Sequence, residues 1–367
     1  MIVNRIRILI LSVVLLPLTI LSQDDKKEFY FPDIPGYVTL KCDFHMHTVF
    51  SDGLVWPTTR VDEAVSEGLD AIAISDHLEY WSHKKYLKAN HNTSFEIAKP
   101  YAEKKDLILI RACEITKSMP PGHFNCLFIQ DANAIDSVDW KKAIIQATEQ
   151  GAYVFWNHPG WRQEDEIPIW YDEHSWLLSQ GLIQGIEIVN ENSYYPLAHR
   201  WALDSNLTIL GNSDIHDPVD YFYNRAEGEH RPITLVFAKE RSEEGIREAL
   251  DNGRTAVYYK DMVLGDEKYL KELFYESIQV WDILSQPVIE PDDPEPPDTH
   301  EQVIANNSSI PIHLEAKSSD TKETILLLIP AGESIPFDLG NDYLLWKWTV
   351  KNFVVAPNKS LEIDCIN

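Results

Sequence analysis

His45 and His47 stand two residues apart in the segment KCDFHMHTVFSDG, and Asp214 and His216 repeat that spacing in LTILGNSDIHD. In an extended strand, residues i and i+2 point to the same face, about 6.5–7 Å apart, so each pair aims two ligating side chains into one space. Between the pairs lie Asp52, His77 at the end of AIAISDH, Glu114 at the end of LILIRACE, His123 opening HFNCLFI, and His158 after GAYVFWN. A single histidine in such a position is more often a surface or hydrogen-bonded residue. Nine ligand-type side chains at the ends of successive strand-like runs point instead to a metal centre. Imidazole with carboxylate suits zinc, manganese or iron better than calcium or copper(I).

The elements that must carry these residues alternate. Strand-like runs cover Val38–Thr48, Ala71–Ser75, Leu107–Thr116, Phe124–Gln130, Ala152–Trp156, Gly185–Val189 and Thr208–Gly211. Helix-like stretches lie between most of them, at Thr58–Glu67, Thr93–Lys105, Asp139–Gln150 and Pro196–Ser205, with Thr58 and Ser137 as N-caps. Such alternation predicts a parallel α/β architecture, and seven strands favour a closed or nearly closed barrel. The polar residues gather at the strand ends that form the active face of such barrels. A helix over Glu243–Asn252, a strand over Arg254–Tyr259 and a helix over Glu267–Phe274 follow.

Composition then shifts. Residues 289–301, IEPDDPEPPDTHE, are acidic and proline-rich, as in an extended loop. Short alternating runs at Gln302–Ala305, Ile310–Ala316, Thr324–Ile329, Ser334–Phe337, Tyr343–Val350 and Ser360–Cys365 suggest a small antiparallel β-sandwich. The expected division is therefore a leader at 1–22, a barrel at 23–275 and a β domain at 276–367. The leader reading rests on Arg5 and Arg7 before an apolar run from Ile8 to Leu21, with Ser22 ahead of Gln23. That run is short for a membrane span and is broken by Pro17, so it reads as a cleaved signal peptide that leaves no stable membrane anchor. A periplasmic or secreted protein is the expectation.

With 32 basic and 58 acidic residues, the net charge of −26 disfavours a nucleic-acid polymer as partner. Bound divalent cations can still draw a small phosphate into a pocket of such a protein. Cys42, Cys113, Cys126 and Cys365 show no CxxC or zinc-knuckle spacing and read as buried thiols, with a cross-strand disulfide as the alternative. Neither a GxSxG elbow nor a P-loop is present, so a serine-nucleophile or P-loop mechanism has no support.

The ordered set HxH, DH, single Glu, two single His and final DxH resembles the PHP (polymerase and histidinol phosphatase) family over roughly residues 40–260. The resemblance extends to exported bacterial members with a C-terminal β domain like that of a bacterial phosphodiesterase. It implies a distorted seven-stranded β/α barrel and two to three divalent ions. His45, His47 and Asp214 would hold the first ion, with Glu114 bridging to a second completed by His123 and His158. Asp52, His77 and His216 would form a third site; some members carry His at the position of Asp52. A hydroxide held between the ions would attack phosphorus in a small-molecule phosphate mono- or diester. Glu114 and Asp214 thus count as catalytic as well as ligating. Lys117 and Arg200 are the expected phosphate-binding groups, with Arg162 and His199 as further candidates and Asp76 as a partner for a ligand imidazole. Trp81, Trp161, Tyr194 and Tyr195 are candidates for stacking on substrate. A noncatalytic metal- or glycan-binding surface protein on the same scaffold is the competing reading, and the sequence sets no oligomeric state.

Overall fold

A computed structural model describes residues 29–135, 138–282, 302–318, 324–337 and 346–364. The expected signal peptide, the acidic loop 289–301, Ser137 and Cys365 lie outside these residues.

The barrel part runs β1 (Val38–Asp43), α1 (Pro57–Ser66), β2 (Ala71–Ile74), α2 (Thr93–Lys104), β3 (Ile108–Ile115), β4 (Phe124–Leu127), α3 (Trp140–Glu149) and β5 (Tyr153–Trp156). It continues through α4 (Asp172–Ser179), β6 (Gly185–Asn190), β7 (Ser193–Tyr194), α5 (Pro196–Ser205) and β8 (Thr208–Asn212). Local chemistry sets the helix starts. Asp139 accepts from the amides of Lys141 and Lys142 at the head of α3, as an N-cap does. In α1 the start comes from Pro57, one residue before the expected cap Thr58, because proline's fixed φ suits the first helical turn.

Strands β1 to β6 and β8 correspond to the seven expected runs. They are not all parallel. β4 runs antiparallel to both β3 and β5, whereas β1/β2, β2/β3, β5/β6 and β6/β8 are parallel. Only residues 116–123 link β3 to β4, too few for the crossover that a parallel pair needs. The reversal puts the start of β4, and so His123, at the same rim as the ends of its neighbours.

After β8 come α6 (Val219–Phe222), β9 (Ile233–Ala238), α7 (Glu243–Asp251), β10 (Thr255–Tyr259), β11 (Met262–Gly265) and α8 (Glu267–Ser277). β9 and α4 were not among the expected elements. α4 buries only His174 and Leu177 and shows little apolar periodicity, whereas β9 is a fully buried ITLVFA run, antiparallel to β1. α7 is the clearest helix in the sequence: Ser242 caps the Gly245 amide, Glu243 and Glu244 occupy the first turn, and Ile246, Ala249 and Leu250 are buried on one face.

No ladder joins β8 to β1; they meet at one parallel bridge, Met46 with Ile215. Side chains also hold β8 to the strands around it. The Thr234 hydroxyl of β9 accepts from Gly211 N at 3.0 Å and donates to Gly211 O at 2.8 Å. The Thr255 hydroxyl of β10 donates to Ile209 O, and Phe44 N donates to the Asn212 amide oxygen. Gly211 admits this close approach, since a Cβ there would lie 2.2 Å from Val257 Cγ1.

The C-terminal strands are β12 (Ile278–Asp282), β13 (Gln302–Asn306), β14 (Ile312–Ser318), β15 (Thr324–Ile329), β16 (Ser334–Phe337), β17 (Trp346–Ala356) and β18 (Lys359–Ile363). β12, β13 and β16 form a separate antiparallel sheet, while β14, β15, β17 and β18 pair among themselves. β17 also pairs with β11, so the second group continues the barrel's sheet. One apolar cluster holds Leu235 and Tyr258 of the barrel with Ile304, Leu314 and Trp348 of the C-terminal strands. The expected boundary at 275/276 falls in the last turn of α8.

Thr234→Val keeps the shape of the buried β9 side chain but strips Gly211 of both seam partners. It should lower the free energy of unfolding by about 1–3 kcal/mol in urea denaturation, and an unchanged midpoint would show that the seam does not depend on this hydroxyl.

Candidate metal centre

The nine expected ligands converge at one end of the barrel. His45 and His47 sit on the chain leaving β1, and the following turn brings Asp52 back beside them. Gly53 makes that turn possible: a Cβ there would meet the His47 carbonyl carbon and the Thr48 nitrogen, each at 2.6 Å. His77 leaves β2 and bridges to the Glu114 backbone on β3. His123 opens β4, His158 follows β5, and Asp214 and His216 follow β8. His158 and Asp214 adopt positive φ, 26° and 50°, which turns their side chains inward at a cost in backbone strain.

Glu114 is fully buried at the centre. Its Oε2 lies 3.4, 3.3 and 2.8 Å from nitrogens of His45, His47 and His77, and its Oε1 lies 2.6 Å from His123 and 3.8 Å from His158. Asp214 Oδ1 stands 3.0 Å from Nε2 of both His45 and His47. Asp52 Oδ1 lies 3.4 Å from His77 Nε2 and 3.2 Å from His216 Nε2. These side chains fall into overlapping groups: His45, His47 and Glu114; His45, His158 and Asp214; Glu114, His123 and His158; and His47, Asp52, His77 and His216. Within each group one ligand atom per residue lies within 4.8 Å of the others.

The donors fit divalent ions for a reason beyond proximity. His47 Nε2, Asp52 Oδ1, Glu114 Oε1 and His123 Nδ1 are buried and make no hydrogen bond. Each sits among other ligand-type atoms of the same site. Orphaned polar atoms in a protein interior are costly, and a shared cation would satisfy them together.

Charge supports the same arrangement. Burial works against the ionised forms of Glu114 and Asp214, but the surrounding histidines overcome it and hold both well below the usual carboxylate range. His47 is pushed down to about 3 by burial, with His216 and His77 adding to the effect, so its ring stays neutral with one nitrogen lone pair to offer. His45, His77 and His216 go the other way despite burial. Asp214 and Glu187 raise His45, Glu114 and Asp52 raise His77, and Asp52 with Asp214 raises His216 to about 9.

The groups expected around substrate are sorted by position. A cavity of about 600 Å³ opens over the centre and is lined by Lys117, Trp161, Arg162 and Tyr195, among others. Lys117 is paired with Glu79 at 2.6 Å and is 17% exposed. The Arg162 guanidinium lies 4.2 Å over the Trp161 ring, which also meets the rings of His123 at 4.8 Å and His158 at 5.4 Å. Arg200 does not line the cavity; it is exposed on α5, so the expected phosphate-binding role has no basis at that position. His199 is buried against the Tyr194 hydroxyl at 2.9 Å, and Trp81 and Tyr194 are likewise absent from the lining. Asp76 takes the Thr48 amide and hydroxyl and the Ser51 hydroxyl, fixing the turn beside the metal ligands without touching an imidazole. Cys42, Cys113 and Cys126 are buried free thiols, and Cys113 faces Cys126 directly across β3 and β4.

Supporting groups missed in the sequence are Asp43, Glu187 and Arg231. Asp43 takes the Ser213 hydroxyl and Arg231 Nη1, and Arg231 also pairs with Glu67, all of them buried. Asp43 was open to detection because it shares strand phase with His45 and His47. Glu187 was signalled by a lone carboxylate inside the apolar run GIEIVN of β6.

A PHP domain model matches residues 43–155. Among solved structures, a two-domain protein from Bacteroides vulgatus containing a predicted PHP-like metal-dependent phosphoesterase is 41% identical, with 92% of this chain and 97% of that chain covered at a TM-score of 0.83. A histidinol phosphate phosphatase from Lactococcus lactis, solved with zinc, L-histidinol and phosphate, is 16% identical over 58% of this chain and 93% of that one, at a TM-score of 0.29. An uncharacterized protein of Methanocaldococcus jannaschii is 35% identical over 82 residues, which is 22% of this chain and spans only 36% of that relative's length. The barrel, the order of the ligands and the near full-length match establish that this chain belongs to the PHP-like metal-dependent phosphoesterases.

Proposed function

We propose that the protein is an exported hydrolase of small-molecule phosphate mono- or diesters, working with two to three divalent ions of zinc, manganese or iron. The observation that carries this reading is the convergence of nine ligand-type side chains, with four orphaned buried donor atoms, beneath a cavity rimmed by Lys117 and Arg162. His45, His47 and Asp214 would hold one ion, Glu114 with His123 and His158 the next, and Asp52, His77 and His216 a third. Such ions, when bound, activate water and clamp phosphate oxygens. The chain's own groups do the rest. Lys117, aligned by Glu79, and Arg162, supported on Trp161, supply positive charge where a phosphate's outer oxygens would lie.

Export rests on the basic, apolar and small-residue order of residues 5–22. N-terminal sequencing of the protein recovered outside the cytoplasm should begin at Gln23, and an intact Met1 would overturn this part of the reading.

Three outcomes test the chemistry. Purified protein should carry divalent metal and hydrolyse members of a phosphoester panel, and chelation, His45→Ala or Glu114→Gln should each reduce turnover to background. A metal-loaded protein that cleaves no phosphoester would instead favour hydrolysis of C–N or C–O bonds. Lys117→Met and Arg162→Met should each lower kcat/KM by about 10- to 100-fold, the worth of one hydrogen bond to a charged group, while Arg200→Met should leave it unchanged. Finally, adding zinc to metal-free protein at about pH 7 should release protons. His45, His77 and His216 are held above their usual values and carry protons that metal must displace. Affinity should therefore fall as pH is lowered, and a pH-independent affinity with no proton release would contradict the assignment.

A further inference from the structure

We propose that Glu187 is the positioning residue of the metal centre: it fixes the His45 ring with Nδ1 protonated and Nε2 turned to the ions, and it pins the His158 peptide. The inference rests on the metal-centre part of the proposed function and not on phosphoester chemistry.

Glu187 is fully buried in the middle of β6, which lies between β5 and β8. Its Oε1 lies 2.9 Å from His45 Nδ1 and accepts from Asn212 Nδ2 at 2.9 Å. Its Oε2 accepts from His158 N at 2.7 Å and from Asn190 Nδ2 at 2.9 Å. Four nitrogens thus meet the two oxygens, so the carboxylate faces the rear of the ligands instead of joining them. Asn212 Nδ2, His158 N and Asn190 Nδ2 can only donate, so the Glu187 oxygens act as acceptors and His45 Nδ1 is the fourth donor. That turns Nε2 to the cluster where Glu114 and Asp214 stand, and a bound ion would take its lone pair. At His158, the same group satisfies the amide of a residue held at φ 26°.

The conservative variant makes a specific prediction. In Glu187→Gln the His158 amide cannot turn donor into acceptor, so the glutamine oxygen is expected to stay there and its NH₂ to face His45 Nδ1. Asn212 cannot relieve the clash by flipping, because its oxygen is already taken by Phe44 N. The His45 tautomer should invert, placing a hydrogen on Nε2 where a lone pair is needed. Metal affinity should fall by about 10- to 100-fold, the usual effect of losing an outer partner of a ligating histidine. Glu187→Asp keeps the charge but is one methylene short, and should recover part of the loss.

The test uses full-length mature protein, with zinc binding measured by calorimetry and nitrogen-15 NMR of the histidine rings. In metal-loaded wild type, His45 should show a protected Nδ1–H; in Glu187→Gln that signal should vanish and the zinc Kd should rise. A wild-type His45 without Nδ1–H overturns the proposal, and it does so without relying on any variant folding. So does a folded Glu187→Gln that binds zinc as tightly as wild type. Should wild type bind zinc with the expected tautomer yet cleave no phosphoester, the reading of the reaction fails while the role of Glu187 stands.

Discussion

A carboxylate placed in a protein interior must be given partners, and Glu114 is the point around which the barrel has arranged them. Its two oxygens are approached by imidazoles from the chain after β1, the end of β2, the start of β4 and the end of β5. No one strand could surround a buried charge this way. The reversal of β4 serves this arrangement: the strand starts at the rim and places His123 immediately before it. So does the positive φ at His158 and Asp214, where the backbone departs from its preferred region to bring a ligand inward.

Beneath the ligands lies a further tier of charge. Asp43, Arg231 and Glu67 form a buried ion triad, and Arg60 donates to the carbonyls of His47, Ile215 and Asp217. Arg60 thus ties the two HxH-type segments together from behind, at the seam where no strand ladder holds them. Buried ion pairs are weak contributors to stability in general. Here their placement matters more than their energy, because they hold together the two chain segments that supply four of the ligands.

Much of this was legible in the sequence because period-two spacing and strand-end position are local signals. His45, His47, Asp214 and His216 were readable for that reason, and the single residues gained meaning from their order. What was not legible depended on pairing. The β3–β4 reversal follows from a short link, but its two cis prolyl bonds, at Met119–Pro120 and Pro120–Pro121, have no local sequence signature beyond the prolines themselves. Arg200 stood ahead of Arg162 in the sequence, but α5 places it on the surface away from the cavity that Arg162 lines. Glu187 showed in the sequence only as a carboxylate in an apolar run, a signal that acquires a role when β6 is laid beside β5 and β8.

The pairing of β11 with β17 carries a different kind of consequence. β11 is antiparallel to β10 on one side and receives β17 on the other, so the C-terminal strands serve as the cover of the barrel sheet's edge. A chain cut near residue 276 would retain every metal ligand yet leave a row of unpaired amides and carbonyls along β11. Exposed strand edges of that kind recruit other strands. The C-terminal strands thus do for the barrel's edge what a closing strand would do, sparing β11 an open side.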